Sequence, residues 1–154
     1  MSYDLHFTSQ DNKKITKEDF LNYFKDKPNY QIPEKTEKDF QIWYENPNTG
    51  VYFNYSFNED EGIDFNINYL RPTFFAYETM PLVVEFAEHF DLLVVDPQDH
   101  EIGGDGAPKE CVQKELIETW ARSNAVAVQN SDTKKHPYLP HEKTYPWWIY
   151  ISKR

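Results

Sequence analysis

The chain of 154 residues carries 26 Asp or Glu against 16 Lys or Arg, which gives a formal net charge of −10. Its length is near that of a common single domain, and an acidic excess of this size disfavours nucleic acid and anionic membranes as partners while favouring basic proteins. Aromatic residues make up 17% of the sequence, more than a disordered acidic chain contains, so we expect one folded domain over residues 1–154.

The N-terminal segment predicts a strand followed by a short helix. Residues 3–7 alternate between apolar and polar side chains, as a strand with one buried face does. Thr16 fits the N-cap of the helix, because Asp19 lies three residues later and Phe20 and Phe24 recur at helical spacing. We expect this helix to end before Pro28.

Residues 38–70 predict a meander of three antiparallel strands. Apolar and polar side chains alternate in three runs, at about residues 40–45, 51–57 and 63–69. The segments Asn46–Gly50 and Asn58–Gly62 separate the runs, and each ends in a Gly that tolerates a positive φ. This pattern of period two indicates a sheet with one covered face and one polar face.

The second half of the chain predicts two helices and another strand. Apolar residues at core spacing mark a helix over about residues 74–90, with Pro81 either kinking it or starting its main part. The apolar run Leu92–Val95 is typical of a buried strand, and Pro108 is a favourable first residue for the last helix. The elements together predict an α+β fold, in which helices pack on one face of a central antiparallel sheet.

The last segment, from about residue 131, differs in composition from the rest of the chain. Residues 37–133 contain nineteen carboxylates and five Lys or Arg, whereas residues 134–154 contain five Lys or Arg and one carboxylate. We therefore predict a basic C-terminal tail rich in Pro and aromatic residues, with Trp147–Ile151 as a final strand.

One cluster of potential ligands lies in a loop of residues 96–106, which we call the acidic loop. Its carboxylates are Asp96, Asp99, Glu101 and Asp105. Calcium requires six to eight oxygen ligands in a defined frame, and the spacing of an EF-hand is not met. The acidic loop is therefore open to three interpretations: a partner-binding loop, a solvated loop or a metal site.

A second cluster, which we call the acidic turn, consists of Glu59, Asp60 and Glu61 at the tip of a predicted hairpin. The simplest interpretation is a solubilising turn. If it lies on the same side as the acidic loop, the two form one negative surface, and the sequence does not place them relative to each other.

No catalytic motif is found. The five His residues lack the spacing of metal ligands, and neither a nucleophile elbow nor a Gly-rich phosphate loop is present. We therefore predict that the protein is not an enzyme and that it binds no metal or cofactor. The first residues lack the pattern of a signal peptide, and Cys111 is the only cysteine, so we expect a cytoplasmic protein without an intramolecular disulfide.

Two aromatic residues, Trp43 and Tyr52, fall on the predicted polar face of the sheet. Such residues are usually covered by another element, but they also serve as stacking platforms for a ligand or as anchors for a protein partner. Both interpretations stay open at this stage.

Several motifs resemble small bacterial immunity proteins, which are found beside polymorphic or contact-dependent toxins. These motifs are Asn46-x-x-Thr49-Gly50-Val51-Tyr52-Phe53, Asn68-Tyr69-x-Arg71-Pro72-x-Phe74-Phe75-x-x-Glu78, the Tyr3-Asp4-Leu5 opening and Asp96-Pro97-Gln98. The resemblance covers about residues 3–124 and implies a protein that binds and neutralises a cognate toxin inside the producing cell. It assigns no functional residue, because the motifs look like strand, turn and helix-start signatures.

Three hypotheses for function follow. The first is a non-catalytic immunity protein that blocks a basic, nuclease-like toxin through the acidic turn and the acidic loop, with Trp43 and Tyr52 as anchors nearby. The second is a module that binds carbohydrate or peptide through the aromatic sheet face. The third is a metal-dependent enzyme centred on the acidic loop.

Overall fold

The computed structural model describes residues 2–102 and 104–130, so the predicted tail and its final strand lie outside the described residues. The elements in chain order are β1 (Ser2–Ser9), α1 (Lys17–Phe24), β2 (Tyr30–Gln31), β3 (Asp39–Glu45), β4 (Tyr52–Asn58), β5 (Gly62–Asn68), α2 (Phe74–His89), β6 (Leu92–Val95), a 3-10 helix (Pro97–Ile102) and α3 (Gln113–Asn130). The predicted α+β fold is confirmed.

All six strands form one antiparallel sheet in the order β2-β3-β4-β5-β1-β6. The predicted meander is confirmed as β3, β4 and β5, and its turns place Gly50 and Gly62 at positive φ values of 77° and 100°. The first strand of the chain, β1, lies between β5 and β6, where Leu5 faces Phe65 and Phe7 faces Val94.

The helices cover one face of the sheet because that face is apolar at every second residue. Phe86 of α2 lies near the centre of the core, and its ring centroid is 5.2 Å from that of Phe7, 5.8 Å from Phe24 and 4.6 Å from Tyr55. The side chains of Phe86 and Tyr55 are completely buried. Burial of large aromatic side chains compensates for the low apolar content of the sequence.

Helix α1 begins as the sequence predicts. The Thr16 hydroxyl accepts a hydrogen bond from the backbone N–H of Asp19 at 3.1 Å, which satisfies one of the free N–H groups of the first turn.

Helix α3 begins at Gln113 rather than at Pro108, so that part of the prediction was wrong. Lys109 exchanges two backbone hydrogen bonds with Val94, at 2.8 and 3.0 Å. This pairing keeps the chain extended beside β6, so the helix begins only after it, at Gln113. A favourable helix-start residue is a weaker constraint than backbone pairing with a sheet edge.

The Asn124 side chain bonds α3 to the corner between β5 and α2. The Asn124 carboxamide accepts from the backbone N–H of Leu70 at 2.7 Å and donates to the backbone oxygen of Arg71 at 2.9 Å. Leu70 has a φ of 62°, in the left-handed region that a branched apolar residue seldom adopts. The two hydrogen bonds hold this corner in place.

Candidate functional site

No described helix covers the second face of the sheet, which we call the open face. Its burial pattern shows this most clearly along β3, where Asp39, Gln41, Trp43 and Glu45 are exposed and the residues between them are buried. The prediction of one covered face and one polar face is therefore confirmed. The remaining side chains of the open face come mainly from β1, β4 and β5: Asp4, His6, Tyr52, Asn54, Ser56, Asp64, Asn66 and Asn68.

The strand register aligns side chains of the open face in rows across the sheet. One row runs from Asp4 through Asn66 and Asn54 to Trp43, and each pair is directly opposed in the register. Side chains opposed in this way have Cβ atoms about 5 Å apart. The open face is thus a continuous polar platform with one large exposed aromatic residue.

The charged side chains on the strands of the open face are mostly acidic. Asp39, Glu45 and Asp64 are exposed and Asp4 is half-buried. Among the open-face side chains of the described strands, His6 is the only one of a basic type. His6 lies 2.7 Å from Asp64, measured from Nδ1 to Oδ1. Asp64 and Asp4 lie on the neighbouring strands β5 and β1, whereas Asp39 and Glu45 lie at the two ends of β3, about 20 Å apart, so the carboxylates are spread over the open face.

The acidic turn joins β4 to β5 at one end of the sheet. Glu59, Asp60 and Glu61 are all exposed, as a partner-binding turn requires. Lys38 forms a salt bridge with Asp60, and its hydrogen bond lowers the pKa of that carboxyl. The turn also borders a cleft of about 220 Å³ that Lys13 lines as well, so part of its negative charge is balanced locally.

Asp96 of the acidic loop is not at the surface. It is 1% exposed, accepts a hydrogen bond from the Tyr3 hydroxyl, and accepts another from the backbone N–H of Gln98 at 2.9 Å. Burial raises the pKa of this carboxyl, while the hydrogen bond from Tyr3 opposes the rise. The expectation that Asp96 contacts a partner is therefore corrected: its side chain fixes the end of β6 against β1.

The other acidic-loop residues differ in exposure. Asp99 is half-buried, lies 3.7 Å from the ammonium of Lys109, and packs against Gly104 so closely that a Cβ there would meet its carboxylate. Asp105 is exposed and accepts a hydrogen bond from the backbone N–H of Ala107. Glu101 lies in the 3-10 helix.

The acidic turn and the acidic loop lie at opposite ends of the sheet. The turn adjoins Ser9 and Leu92, whereas Asp96 is bonded to Tyr3. Tyr3 and Ser9 lie six positions apart on β1, a span of about 20 Å, which exceeds the Debye length of about 8 Å at physiological ionic strength. The two clusters therefore do not form one local site, and a partner touching both must extend along the sheet.

The two predicted aromatic anchors have different environments. Trp43 is 42% exposed on the open face. Tyr52 is half-buried, and its hydroxyl accepts from Nε of Arg71 at 3.0 Å and from Nδ2 of Asn68 at 3.1 Å. Its ring also packs edge-on against Phe75 at 6.0 Å. The contacts of Tyr52 are therefore structural. Of the two residues, Trp43 is the one whose ring is available to a ligand.

A second polar cluster joins the β3–β4 turn to α2. The Glu78 carboxylate accepts hydrogen bonds from Nδ2 of Asn46 at 3.0 Å, from the Thr49 hydroxyl at 3.1 Å and from the Tyr44 hydroxyl at 3.5 Å. These contacts unite the Asn46–Thr49 motif with the Glu78 motif. Both motifs therefore have a structural explanation that requires no ligand.

Glu78 is expected to make the stability of the fold depend on pH. Burial raises its pKa above the ordinary 4.5, so the folded state binds this proton more tightly than the unfolded state. The contribution is fully present below the ordinary pKa and is lost as pH rises through the folded value. Urea unfolding of the wild type and of Glu78→Gln should therefore show the wild type gaining relative stability as pH falls from neutral towards 4.5. A difference independent of pH would contradict this assignment.

Across residues 2–102 and 104–130, no group of three or more His, Cys, Asp or Glu side chains is placed to hold a metal ion. Within the same ranges, no helix combines the length and apolar character needed to cross a membrane.

Comparisons with known proteins give no relatives: no protein-family model, no curated protein and no solved structure matches this chain. The sequence prediction missed the open-face carboxylates Asp39, Glu45 and Asp64 as a group. Their period-two spacing placed each on the polar face, but only the strand register shows how they are distributed across it.

Proposed function

We propose that the protein is a non-catalytic immunity protein that binds and neutralises a cognate toxin in the cytoplasm of the producing cell. The observation that carries this proposal is the open face, a broad sheet surface whose exposed charges are mainly acidic and which no described element covers. Its partner is a protein with a basic surface, such as the cleft in which a nuclease holds a phosphate backbone.

The interface extends beyond the two predicted clusters. It comprises the open-face carboxylates Asp39, Glu45 and Asp64 together with the acidic turn, which borders the same sheet at one end. Asp99, Glu101 and Asp105 lie at the far end and belong to the rim of the interface. Asp96 belongs to the fold instead.

The proposed mechanism is occlusion. An acidic face presented to a basic cleft occupies the space that the anionic substrate requires, and it speeds association by electrostatic steering. The sheet itself changes little on binding, because its rows are already fixed by backbone pairing and a packed core.

The proposal is tested by co-expression with the protein encoded beside this chain, followed by affinity capture and a growth assay. The expected result is a one-to-one complex together with rescue of growth that is lost when the neighbouring protein is expressed alone. A folded, well-expressed chain that neither forms a complex nor rescues growth would exclude the immunity role.

A further inference from the structure

A cleft of about 220 Å³ lies at the end of the sheet where the acidic turn joins β4 to β5. One wall is the acidic turn, and the other is the segment between β1 and α1, which includes Lys13 and Lys14. The floor consists of five apolar side chains: Phe7, Ile15, Phe57, Ile63 and Leu92. We call this opening the turn cleft.

The floor of the turn cleft is held in place by the core beneath it. The Phe57 ring stacks on Phe40 at 5.2 Å and packs against Phe20 at 5.1 Å. The Phe7 ring meets Phe86 edge-on at 5.2 Å. Because a close-packed core resists rearrangement, these rings do not move to fill the opening. The cleft is therefore formed before any ligand arrives.

Local hydrogen bonds also fix the two walls. Oδ1 of Asn58 accepts from the backbone N–H groups of Asp60 and Glu61, both at 2.8 Å. On the opposite wall, Oδ1 of Asp11 accepts from the backbone N–H of Lys13 at 3.2 Å. A ligand that enters a cleft with ordered walls loses less binding free energy to the ordering of loops and side chains.

The volume and the apolar floor favour a single aromatic ring as the occupant. Pockets for drug-sized ligands and cofactors enclose about 300–1,000 Å³, which is more than the turn cleft offers. An apolar cavity of about 150 Å³ is sufficient for one benzene ring. A ring that enters the cleft also removes the apolar surfaces of Phe57 and Ile63 from water, which is favourable.

The acidic wall has two carboxylates that are available to a partner. Asp60 is already paired with Lys38. Glu59 and Glu61 are exposed, and neither forms a salt bridge with another residue in the part of the chain that the structure describes. A cation at the mouth of the cleft would therefore meet two unpaired carboxylates.

The basic wall carries less free charge than its two lysines suggest. The Lys13 ammonium lies 3.8 Å from the Asp11 carboxylate, so its charge is partly balanced. Lys14 is exposed, and its charge adds to the hydrogen bond from Lys38 in lowering the pKa of Asp60. The mouth of the cleft thus keeps an acidic excess, and this excess favours a ring that is flanked by a basic residue.

We propose that the turn cleft binds an aromatic side chain of the basic partner protein, next to a Lys or Arg that pairs with Glu59 or Glu61. Aromatic residues that fill desolvated pockets contribute much of the binding free energy at protein interfaces, and the polar residues around them exclude water. The acidic turn belongs both to the proposed interface and to a wall of the cleft, so a partner that contacts the turn lies at the mouth of the cleft. This inference rests on the proposed function, because the aromatic side chain belongs to the proposed toxin.

The test is an NMR titration of the full chain, labelled with ¹³C in its methyl groups, with three peptides: Ac-Gly-Phe-Lys-NH₂, Ac-Gly-Ala-Lys-NH₂ and Ac-Gly-Phe-Glu-NH₂. A ring in the cleft shifts the methyl signals of Ile63 and Leu92 through its ring current and gives intermolecular NOEs to them. Ile67, a buried residue of β5 near the other end of the sheet, is the internal reference.

The Phe-Lys peptide should bind in the millimolar range, and about twofold to fivefold more tightly than the Phe-Glu peptide. The Ala-Lys peptide should give neither shifts nor NOEs at the same concentrations, because it lacks the ring. Absence of NOEs to Ile63 and Leu92, an equal response to the Ala-Lys peptide, or tighter binding of the Phe-Glu peptide would each overturn the inference.

A matched pair of variants locates the site. Leu92→Phe places a ring of the protein itself in the cleft, where space is open, and should abolish the peptide-induced shifts of Ile63. Leu93→Phe makes the same change one residue later, on the other face of the strand, and should leave the titration unchanged. Shifts of Ile63 that survive Leu92→Phe would place the peptide elsewhere. If Leu92→Phe does not fold, the intermolecular NOEs of the wild type still decide the site.

Failure here is distinguishable from failure of the proposed function. If the wild type rescues growth and folded Leu92→Phe binds the toxin with equal affinity, the aromatic-anchor inference falls and the immunity role stands. If the wild type does not rescue growth, the immunity role falls, while the peptide titration still decides whether the cleft binds an aromatic side chain beside a basic residue.

Discussion

Reversing the charge of Asp39, Glu45 and Asp64 to Lys is expected to slow association with the proposed toxin partner by about tenfold to a thousandfold at low ionic strength. All three are exposed on the open face, and the field that they create would steer a basic partner towards the sheet. The same change should flatten the dependence of the association rate on salt. Stopped-flow or surface-binding kinetics at several salt concentrations would measure both effects.

The matched control reverses the same number of charges on the helical side of the molecule. Glu88 on α2 and Glu115 and Glu118 on α3 are exposed and lie away from the open face. Their reversal to Lys changes the net charge equally but should have a much smaller effect on the association rate. Equal slowing by both triple variants would show that net charge, rather than the open face, governs the encounter.

Replacing Asp96 with Ala is expected to lower the free energy of unfolding by about 2–4 kcal/mol. The change leaves the completely buried Tyr3 hydroxyl and the backbone N–H of Gln98 without their acceptor. Urea unfolding would measure the loss. Tyr3→Phe should also destabilise the fold, and the double variant should lose less than the sum of the two, because the first change has already broken the shared hydrogen bond.

Asp96→Asn separates this structural role from a role in binding. The amide keeps one acceptor oxygen, and a side chain that is 1% exposed does not reach a partner. We therefore expect the folded Asp96→Asn variant to associate with the toxin at the rate of the wild type. Normal stability of Asp96→Ala combined with slower association would reverse our assignment of this residue.

The elements that the sequence predicted correctly are those that depend on local patterns. The meander follows from alternating side chains along β3, β4 and β5, and the start of α1 follows from the Thr16 cap. Each signal is contained within a few residues, so one sequence is sufficient to detect it.

The features that the sequence did not predict depend on distant pairing. Asp96 is buried because Tyr3, 93 residues away, donates to it. The chain near Lys109 is extended because it pairs with Val94. The separation of the two acidic clusters and the row containing Asn54 follow from the order and register of the strands, which local composition does not encode.

The position of β1 in the sheet has a consequence for how the protein is made. The residues that bond to β1 come much later in the chain: Asp64, which lies against His6, is 58 residues on, and Asp96, which bonds to Tyr3, is 93 residues on. During translation β1 therefore remains unpaired until β5 and β6 have been synthesised. Closing such long loops is slow. Under the proposed immunity role, a cell would be protected only after nearly the whole described chain has emerged, which favours synthesis of this protein before its proposed toxin.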